Sequence, residues 1–309
     1  MTAMRPTQGF RLLALAAALS VWALVAVGGI VRVTESGLGC PDWPLCEGRL
    51  VPAQQKEPLI ETSHRWVAGL VTVLVVLVFV WAWRRYRARR DVVIPALAAV
   101  LLVPVQALLG AIVVWLELPG WIVGVHFVVG MLFLAATVLT AGAAWRRGMG
   151  FHASEGFVRL AWSATGIGLV AVALGAAVVS AGADDACGQD WPSCNGELAA
   201  GGASAWLQVA HRSAAYLVAG LAVSLAIQAW RGRGPRLAGT APLAAVVLQI
   251  VFGVSLVLAG EDSAAHEPLA MLHVAGAGTV WAALVALAAL VGLPRHDRIP
   301  AMLPAGGAP

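Results

Sequence analysis

Four histidines recur at a fixed interval in this sequence of 309 residues. The differences 211 − 64 and 273 − 126 both equal 147. They group as one pair in each half of the chain, His64 with His126 and His211 with His273. Two imidazoles that face each other across a helix bundle suit the two axial positions of a haem iron. Zinc suits them less, because a structural zinc site takes four ligands, so the sequence predicts one haem site per pair.

A carboxylate distinguishes the first half from the second. Glu61 lies three residues before His64, so the two side chains share one face of a helix. The residue three positions before His211 is the neutral Gln208. Glu61 is therefore a candidate for acid–base or cation-stabilising chemistry in the first half. An interfacial glutamate that reaches water, or caps the helix start near Thr62, explains the same residue equally well.

Arginines directly follow two of the histidines. Arg65 comes after His64 and Arg212 after His211. They could extend to the membrane surface along their apolar stems, and they could also bind haem propionates with two hydrogen bonds. The two roles are compatible, and Arg32 is a further candidate for a propionate partner.

Composition identifies the chain as an integral membrane protein. It is 60% hydrophobic and 12% charged, whereas soluble domains carry about 25% charged residues. The apolar residues come in runs of about twenty, the length of helix that spans a bilayer. We predict eight spans, at 12–31, 62–83, 92–115, 122–144, 157–180, 205–229, 237–259 and 269–292. The net charge of +4 does not indicate nucleic-acid binding, because the arginines flank the apolar runs.

The charged residues predict the orientation of the spans. Arginines cluster at one end, as in 84–90 and 231–236, and most acidic residues lie at the other. Basic links face the cytoplasm, which places both termini inside and the cysteine segments outside. The four histidines lie twenty to twenty-two residues from an arginine at the basic end: Arg84, Arg146, Arg231 and Arg295. All four are therefore expected at one depth near the outer face, whereas His152, His266 and His296 are expected in solvated loops.

Two similar cysteine segments show that the chain contains an internal repeat. CPDWPLC occupies positions 40–46 and CGQDWPSC occupies positions 187–194. Each half contains four spans, an even number, so the halves have the same orientation and form parallel repeats. The predicted fold class is an all-α membrane protein with eight transmembrane helices in two four-helix bundles. The first bundle comprises residues 1–150 and the second 151–309.

The sequence resembles the haem A synthase family, enzymes of cytochrome-oxidase assembly that convert haem O to haem A. The matching segments are GGIVRVTESGLGCPDWPLCEGRLVP, ETSHRWVAGL with its Glu-x-x-His-Arg core, and GVHFVVG, together with their counterparts in the second half. The resemblance covers nearly the whole chain. It implies that a ring methyl of haem O is oxidised to a formyl group by successive hydroxylations and loss of water.

The resemblance also implies a role for each half. His64 and His126 would hold haem O or haem A as substrate and product, with Glu61 as the catalytic carboxylate. His211 and His273 would hold haem B as a cofactor. The expected partners are haem O synthase, cytochrome-oxidase assembly factors, an electron acceptor that the sequence does not identify, and the lipid bilayer. The expected location is the bacterial plasma membrane, with the haem sites toward the outer face.

The cysteines are expected to pair within each segment. In the family that the chain resembles, Cys40 and Cys46 are thought to form a reversible disulfide used in electron transfer or haem handover. Four cysteines allow three connectivities, and the short spacings favour Cys40 with Cys46 and Cys187 with Cys194. A structural role and a redox role are equally consistent with the first pair, and a structural role is favoured for the second.

An alternative function is a two-haem membrane electron carrier, such as a cytochrome b-like quinol oxidoreductase. It explains the four histidines equally well. It does not explain why an acid lies beside only one histidine of the four. It also places haems near both membrane faces, whereas all four predicted ligands lie near one.

Overall fold

The computed structural model describes residues 5–52, 54–149, 151–196 and 201–292. Within these ranges the chain forms eight α-helices: α1 Gln8–Val33, α2 Lys56–Arg85, α3 Arg90–Trp115, α4 Gly120–Met149, α5 Glu155–Ser180, α6 Ala203–Trp230, α7 Arg236–Ala259 and α8 His266–Val291. A short 3-10 turn, Ser36–Leu38, follows α1. All eight helices are long and apolar enough to cross a membrane, which confirms the predicted number of spans.

The helices extend beyond most of the predicted spans because hydropathy marks only the hydrocarbon core. Helix α2 has 30 residues, a length of about 45 Å, whereas the core of a bilayer is about 30 Å thick. Its surplus lies at the ends, where side chains such as Lys56 and Arg85 are exposed. The same difference makes one loop prediction wrong: His266 is the half-buried first residue of α8. Pro268 is compatible with this earlier start because the first helical turn tolerates proline.

The remaining histidine predictions outside the two pairs divide between the described and undescribed residues. His152 is an exposed residue without helical structure, as predicted. His296 and Arg295 lie outside the described residues.

Each half of the chain forms a closed ring of four helices. In the first half α1 contacts α2 and α4, and α3 contacts the same two helices. In the second half α5 and α7 each contact α6 and α8. The second and fourth helices of each ring therefore stand diagonally, on opposite sides of the bundle interior. This arrangement agrees with the predicted pair of four-helix bundles.

The two bundles pack through α1 and α4 of the first and α5 and α8 of the second. Trp281 on α8 donates its indole N–H to the backbone oxygen of Met131 on α4, at 2.7 Å. Gly29 allows α1 to approach α8 closely, since a Cβ at this position would lie 2.7 Å from Cγ1 of Val274. Trp22 of α1 donates to Oγ1 of Thr279 at 3.1 Å. Fixed side-chain contacts of this kind hold the two rings together.

Candidate functional site

Each bundle carries a disulfide loop above the start of its second helix. Cys40 bonds to Cys46 in loop 1 (residues 40–46), and Cys187 bonds to Cys194 in loop 2 (residues 187–194). The predicted pairing within each loop is confirmed. All four cysteines are buried, so each bridge lies beneath the rest of its loop.

The two arginines that follow the histidines bind these loops. Nη1 of Arg65 donates to the backbone oxygens of Asp42 and Leu45, at 2.8 and 2.5 Å. Nη1 of Arg212 donates to the backbone oxygens of Asp190 and Ser193, at 2.9 and 2.7 Å. The guanidinium groups thus join each loop to the helix that carries a histidine. The sequence did not indicate this role, because it depends on the course of the loop backbone.

The predicted propionate role of these arginines remains a prediction. Nη2 of Arg212 is buried and has no hydrogen-bond partner within residues 5–52, 54–149, 151–196 and 201–292. Nη2 of Arg65 is already paired with Glu61. Arg32, near the end of α1, is exposed.

The aspartate of loop 1 organises the turn that follows its second cysteine. Oδ2 of Asp42 accepts the backbone N–H of Gly48 at 2.9 Å, and Oδ1 accepts that of Glu47 at 2.6 Å. The Gly48 N–H, with help from Glu47 and the Arg65 charge, lowers the pKa of Asp42 below its ordinary value of 3.8, against a smaller opposing effect of burial. Asp190 makes the equivalent bond in loop 2, from the N–H of Gly196 at 2.7 Å.

Glu61 is buried, and both of its carboxylate oxygens are hydrogen bonded. Oε2 accepts the backbone N–H of Cys40 at 2.7 Å, and Oε1 accepts Nη2 of Arg65 at 2.5 Å. Its residual exposure is 5%. Glu61 therefore neither reaches water nor caps the start of α2, the alternatives that the sequence left open. It connects the first disulfide to the helix turn that carries His64.

Gln208 occupies the same place in the second bundle with the opposite polarity. Its amide Nε2 donates to the backbone oxygens of Ala183 and Asp184, at 2.9 and 2.7 Å. In the first bundle loop 1 supplies an N–H to Glu61, and in the second the segment between α5 and loop 2 supplies two carbonyl groups to Gln208. The difference in sequence is thus matched by a difference in the loop backbone, and only the first bundle holds a carboxylate here.

The histidines of each half face each other across the bundle interior. His64 lies on α2 and His126 on the diagonal helix α4. His211 on α6 and His273 on α8 occupy the equivalent diagonal helices of the second bundle. Across the described parts of the chain, no group of three or more His, Cys, Asp or Glu side chains is arranged to hold a metal ion. Two opposed imidazoles per bundle fit the axial positions of a haem, and this set does not fit structural zinc.

A glycine on a neighbouring helix leaves room for each of the four imidazole rings. A Cβ built on that glycine would lie close to the ring atom Cε1, at 3.2 Å for Gly28 and His64, 3.6 Å for Gly110 and His126, 2.8 Å for Gly175 and His211, and 2.9 Å for Gly253 and His273. Sequence reasoning missed these glycines. A signal was present in the sequence, because Gly28 and Gly175 are separated by the repeat interval of 147 residues, and QALLG at 106–110 resembles QIVFG at 249–253.

The fold and the site define a multi-pass membrane protein with two duplicated four-helix bundles, each enclosing a histidine pair beneath a disulfide loop. The family described as Cytochrome oxidase assembly protein (COX15-CtaA) matches residues 11–59 and 53–285. The chain belongs to this family.

Curated relatives from three bacteria are similar to the chain, and each is named haem A synthase. The protein of Lysinibacillus sphaericus is 31% identical over 66% of this chain and 70% of its own length. That of Exiguobacterium sibiricum is 34% identical over 63% of this chain and 66% of its own length. That of Shouchella clausii is 33% identical over 71% of this chain and 76% of its own length.

Proposed function

We propose that the protein is a haem A synthase that oxidises a ring methyl of haem O to a formyl group, for the assembly of cytochrome oxidase. The family match and the relatives support the reaction. One observation supports its location in the first bundle. Glu61 is a buried carboxylate one helical turn from His64, and its counterpart in the second bundle is the neutral Gln208.

The two histidine pairs have different roles in this proposal. His64 and His126 bind haem O as substrate and release it as haem A. His211 and His273 bind haem B as a resident cofactor. When bound, haem B supplies an iron centre that exchanges single electrons. The chemistry of the donor set supports haem binding in both bundles, since each offers two imidazoles, and an adjacent glycine gives each ring its space.

Glu61 holds or accepts a proton at the oxidation site. Removing hydrogen from the methyl carbon releases protons, and a carboxylate is a suitable acceptor when it lies within reach of them. The Cys40 N–H and the Arg65 guanidinium stabilise and orient the charged form of Glu61. Gln208 cannot take up a proton in this way. The second bundle therefore provides binding and electron transfer without acid–base chemistry.

The loops and arginines support the site at the outer face of the bacterial plasma membrane. Arg65, Arg212 and Arg32 are the candidate propionate partners, and Nη2 of Arg212, which has no hydrogen-bond partner among the described residues, is a donor suited to that role. Both termini are cytoplasmic in this orientation. Haem O synthase and assembly factors of cytochrome oxidase are the expected partners, and a separate acceptor takes up the electrons.

Haem extraction followed by mass analysis tests the proposed function. Cells that supply haem O and express this chain are expected to yield haem A. The Glu61→Gln variant is expected to retain bound haem and to lose haem A, whereas the matched control Glu57→Gln, at an exposed position on the same helix, retains the activity. Full conversion by Glu61→Gln would remove the catalytic role of this residue. Haem B in both bundles, without haem O turnover, would indicate the two-haem electron carrier instead.

A further inference from the structure

The two bundles differ in how they hold the Nδ1 atoms of their histidines. In the second bundle, Nδ1 of His211 lies 3.1 Å from the backbone oxygen of Ala171 on α5. Nε2 of the Gln249 side chain on α7 lies 3.1 Å from Nδ1 of His273 and 3.3 Å from Nε2 of the same ring. Each histidine ring of this pair is thus hydrogen bonded to a neighbouring helix.

In the described residues, the first bundle lacks both of these hydrogen bonds, although it contains a glutamine equivalent to Gln249. Nδ1 of His64 and Nδ1 of His126 are buried without a hydrogen-bond partner in the described ranges. Gln106 is the counterpart of Gln249, but its amide donates to the backbone oxygen of His126, at 3.2 Å, and not to the ring. The difference therefore does not follow from residue type at this position.

The packing around the histidine rings also differs between the two bundles. In the second bundle, a Cβ on Gly175 or Gly253 would lie 2.8 or 2.9 Å from the adjacent ring, a distance that requires a shift. In the first bundle, the corresponding distances are 3.2 Å from Gly28 to His64, a tight contact, and 3.6 Å from Gly110 to His126, an ordinary van der Waals contact. Helix backbone thus encloses the rings more tightly in the second bundle than in the first.

A hydrogen bond at the imidazole nitrogen that does not bind the metal controls how the ring binds iron. A partner at Nδ1 fixes the tautomer and the ring orientation and makes the ligand a stronger donor. Loss of such a partner typically weakens metal binding about 10- to 100-fold. In the structure the Gln249 amide presents Nε2 to the ring, and its Oε1 has no hydrogen-bond partner among the described residues. Rotation of the terminal amide by 180° exchanges the oxygen and the nitrogen, so that the oxygen would accept Nδ1–H when the other ring nitrogen binds iron.

We propose that Gln249 and the Ala171 carbonyl are positioning groups, which fix the ring orientation of the second-bundle histidines and so retain its haem. His64 and His126 have no such partner among the described residues, and this allows the first bundle to exchange haem. This inference rests on the proposed function, in which one haem is a resident cofactor and the other passes through. It adds to that function a physical reason why one bundle retains its haem and the other exchanges it. Exchange of haem requires histidines that release the iron. Retention of haem requires histidines whose rings are held in position independently of the iron.

Transfer of haem to excess apomyoglobin tests the proposal on the intact membrane protein in detergent. Haem B is used to fill both bundles, so that the porphyrin is the same in each. Proteins carrying His64→Ala or His211→Ala assign the kinetic phases to the two bundles. In the unaltered chain, the first bundle is expected to lose haem at least about tenfold faster than the second. Equal rates, or a faster second bundle, would overturn the proposal without any variant of Gln249.

Variants of Gln249 supply the second test. Gln249→Leu is expected to accelerate haem loss from the second bundle about tenfold and to raise its reduction potential, because the imidazole becomes a weaker donor. Gln249→Glu restores an oxygen acceptor and is expected to reverse both changes. The matched control Gln106→Leu should leave both readouts unchanged. Unchanged haem loss and potential in Gln249→Leu would refute the role of this residue.

The result is separable from the test of haem A synthesis. A chain that makes haem A in cells but loses haem from both bundles at one rate keeps its proposed function and loses this inference. A chain whose bundles differ in rate as expected, but which makes no haem A, keeps the ring-locking role and loses the enzymatic one.

Discussion

Alanine at position 253 should disturb the haem site of the second bundle through a single methyl group. Its Cβ would lie 2.9 Å from Cε1 of His273, about 0.6 Å inside the ~3.5 Å lower limit of favourable carbon–carbon contact. The contact is with the ring of a proposed ligand, so relieving it requires the imidazole to tilt or α7 to move. Overpacking of this kind costs about 1–3 kcal/mol. A penalty of about 2 kcal/mol corresponds to roughly a 30-fold loss of haem affinity.

Haem content per chain and the electron paramagnetic resonance of the oxidised haem measure this effect. Gly253→Ala is expected to lower the occupancy of the second bundle and to shift its low-spin signal, because the ring plane changes. Gly110→Ala is the matched control, since its Cβ would lie 3.6 Å from the ring of His126. Alanine also favours a helix over glycine by about 0.5–1 kcal/mol, so this control should bind haem normally and be no less stable. An unchanged signal and full occupancy in Gly253→Ala would refute the packing argument.

Three further predictions concern the loops. Arg65→Ala should expose the disulfide of loop 1 to reductants, because the guanidinium bonds to that loop's carbonyl groups are lost; thiol labelling should show faster reduction there and no change in loop 2. Gln208→Glu should lower the free energy of unfolding by about 1–3 kcal/mol, because a carboxylate cannot donate to the carbonyl groups of Ala183 and Asp184. An unchanged melting temperature would contradict this. The Asp42 carboxylate, whose pKa is lowered in the folded protein, stabilises the turn after loop 1 above pH 3.8, and this stabilisation is lost as the pH falls through the folded-state pKa. The protection of the Gly48 amide against hydrogen exchange, relative to the intrinsic rate at each pH, should therefore decrease in acid, and Asp42→Asn should remove that decrease.

The eight helices could be predicted from the sequence because each depends on local composition. A run of about twenty apolar residues has to form a helix in a membrane, since its backbone groups have no other partners there. The histidine pairs could be predicted for a related reason. A repeat of 147 residues places His64 and His211 on equivalent helices, and likewise His126 and His273. Their opposition across each bundle then follows from the closed ring of helices.

The environment of Glu61 could not be predicted in the same way. Its spacing from His64 indicated a shared helix face, and the contrast with Gln208 indicated a difference between the halves. Its partners, however, are the N–H of Cys40, 21 residues earlier, and the side chain of Arg65. The choice between a surface role and a buried role depended on how loop 1 folds over α2. No local pattern encodes that path.

The sequence by itself thus determined the membrane-spanning helices, the duplication, the paired histidines and the single carboxylate, because these follow from hydropathy, periodicity and residue type. The tertiary structure decided which groups surround them. The arginines bind loop carbonyls, a glycine lies against each ring, and among the described residues only the second-bundle histidines of the two pairs have partners at Nδ1. Gln106 and Gln249 show the physical reason. The same residue type at equivalent positions bonds to a backbone oxygen in one bundle and to an imidazole in the other, because the partner is the group that the packed helices place within hydrogen-bond distance of the amide.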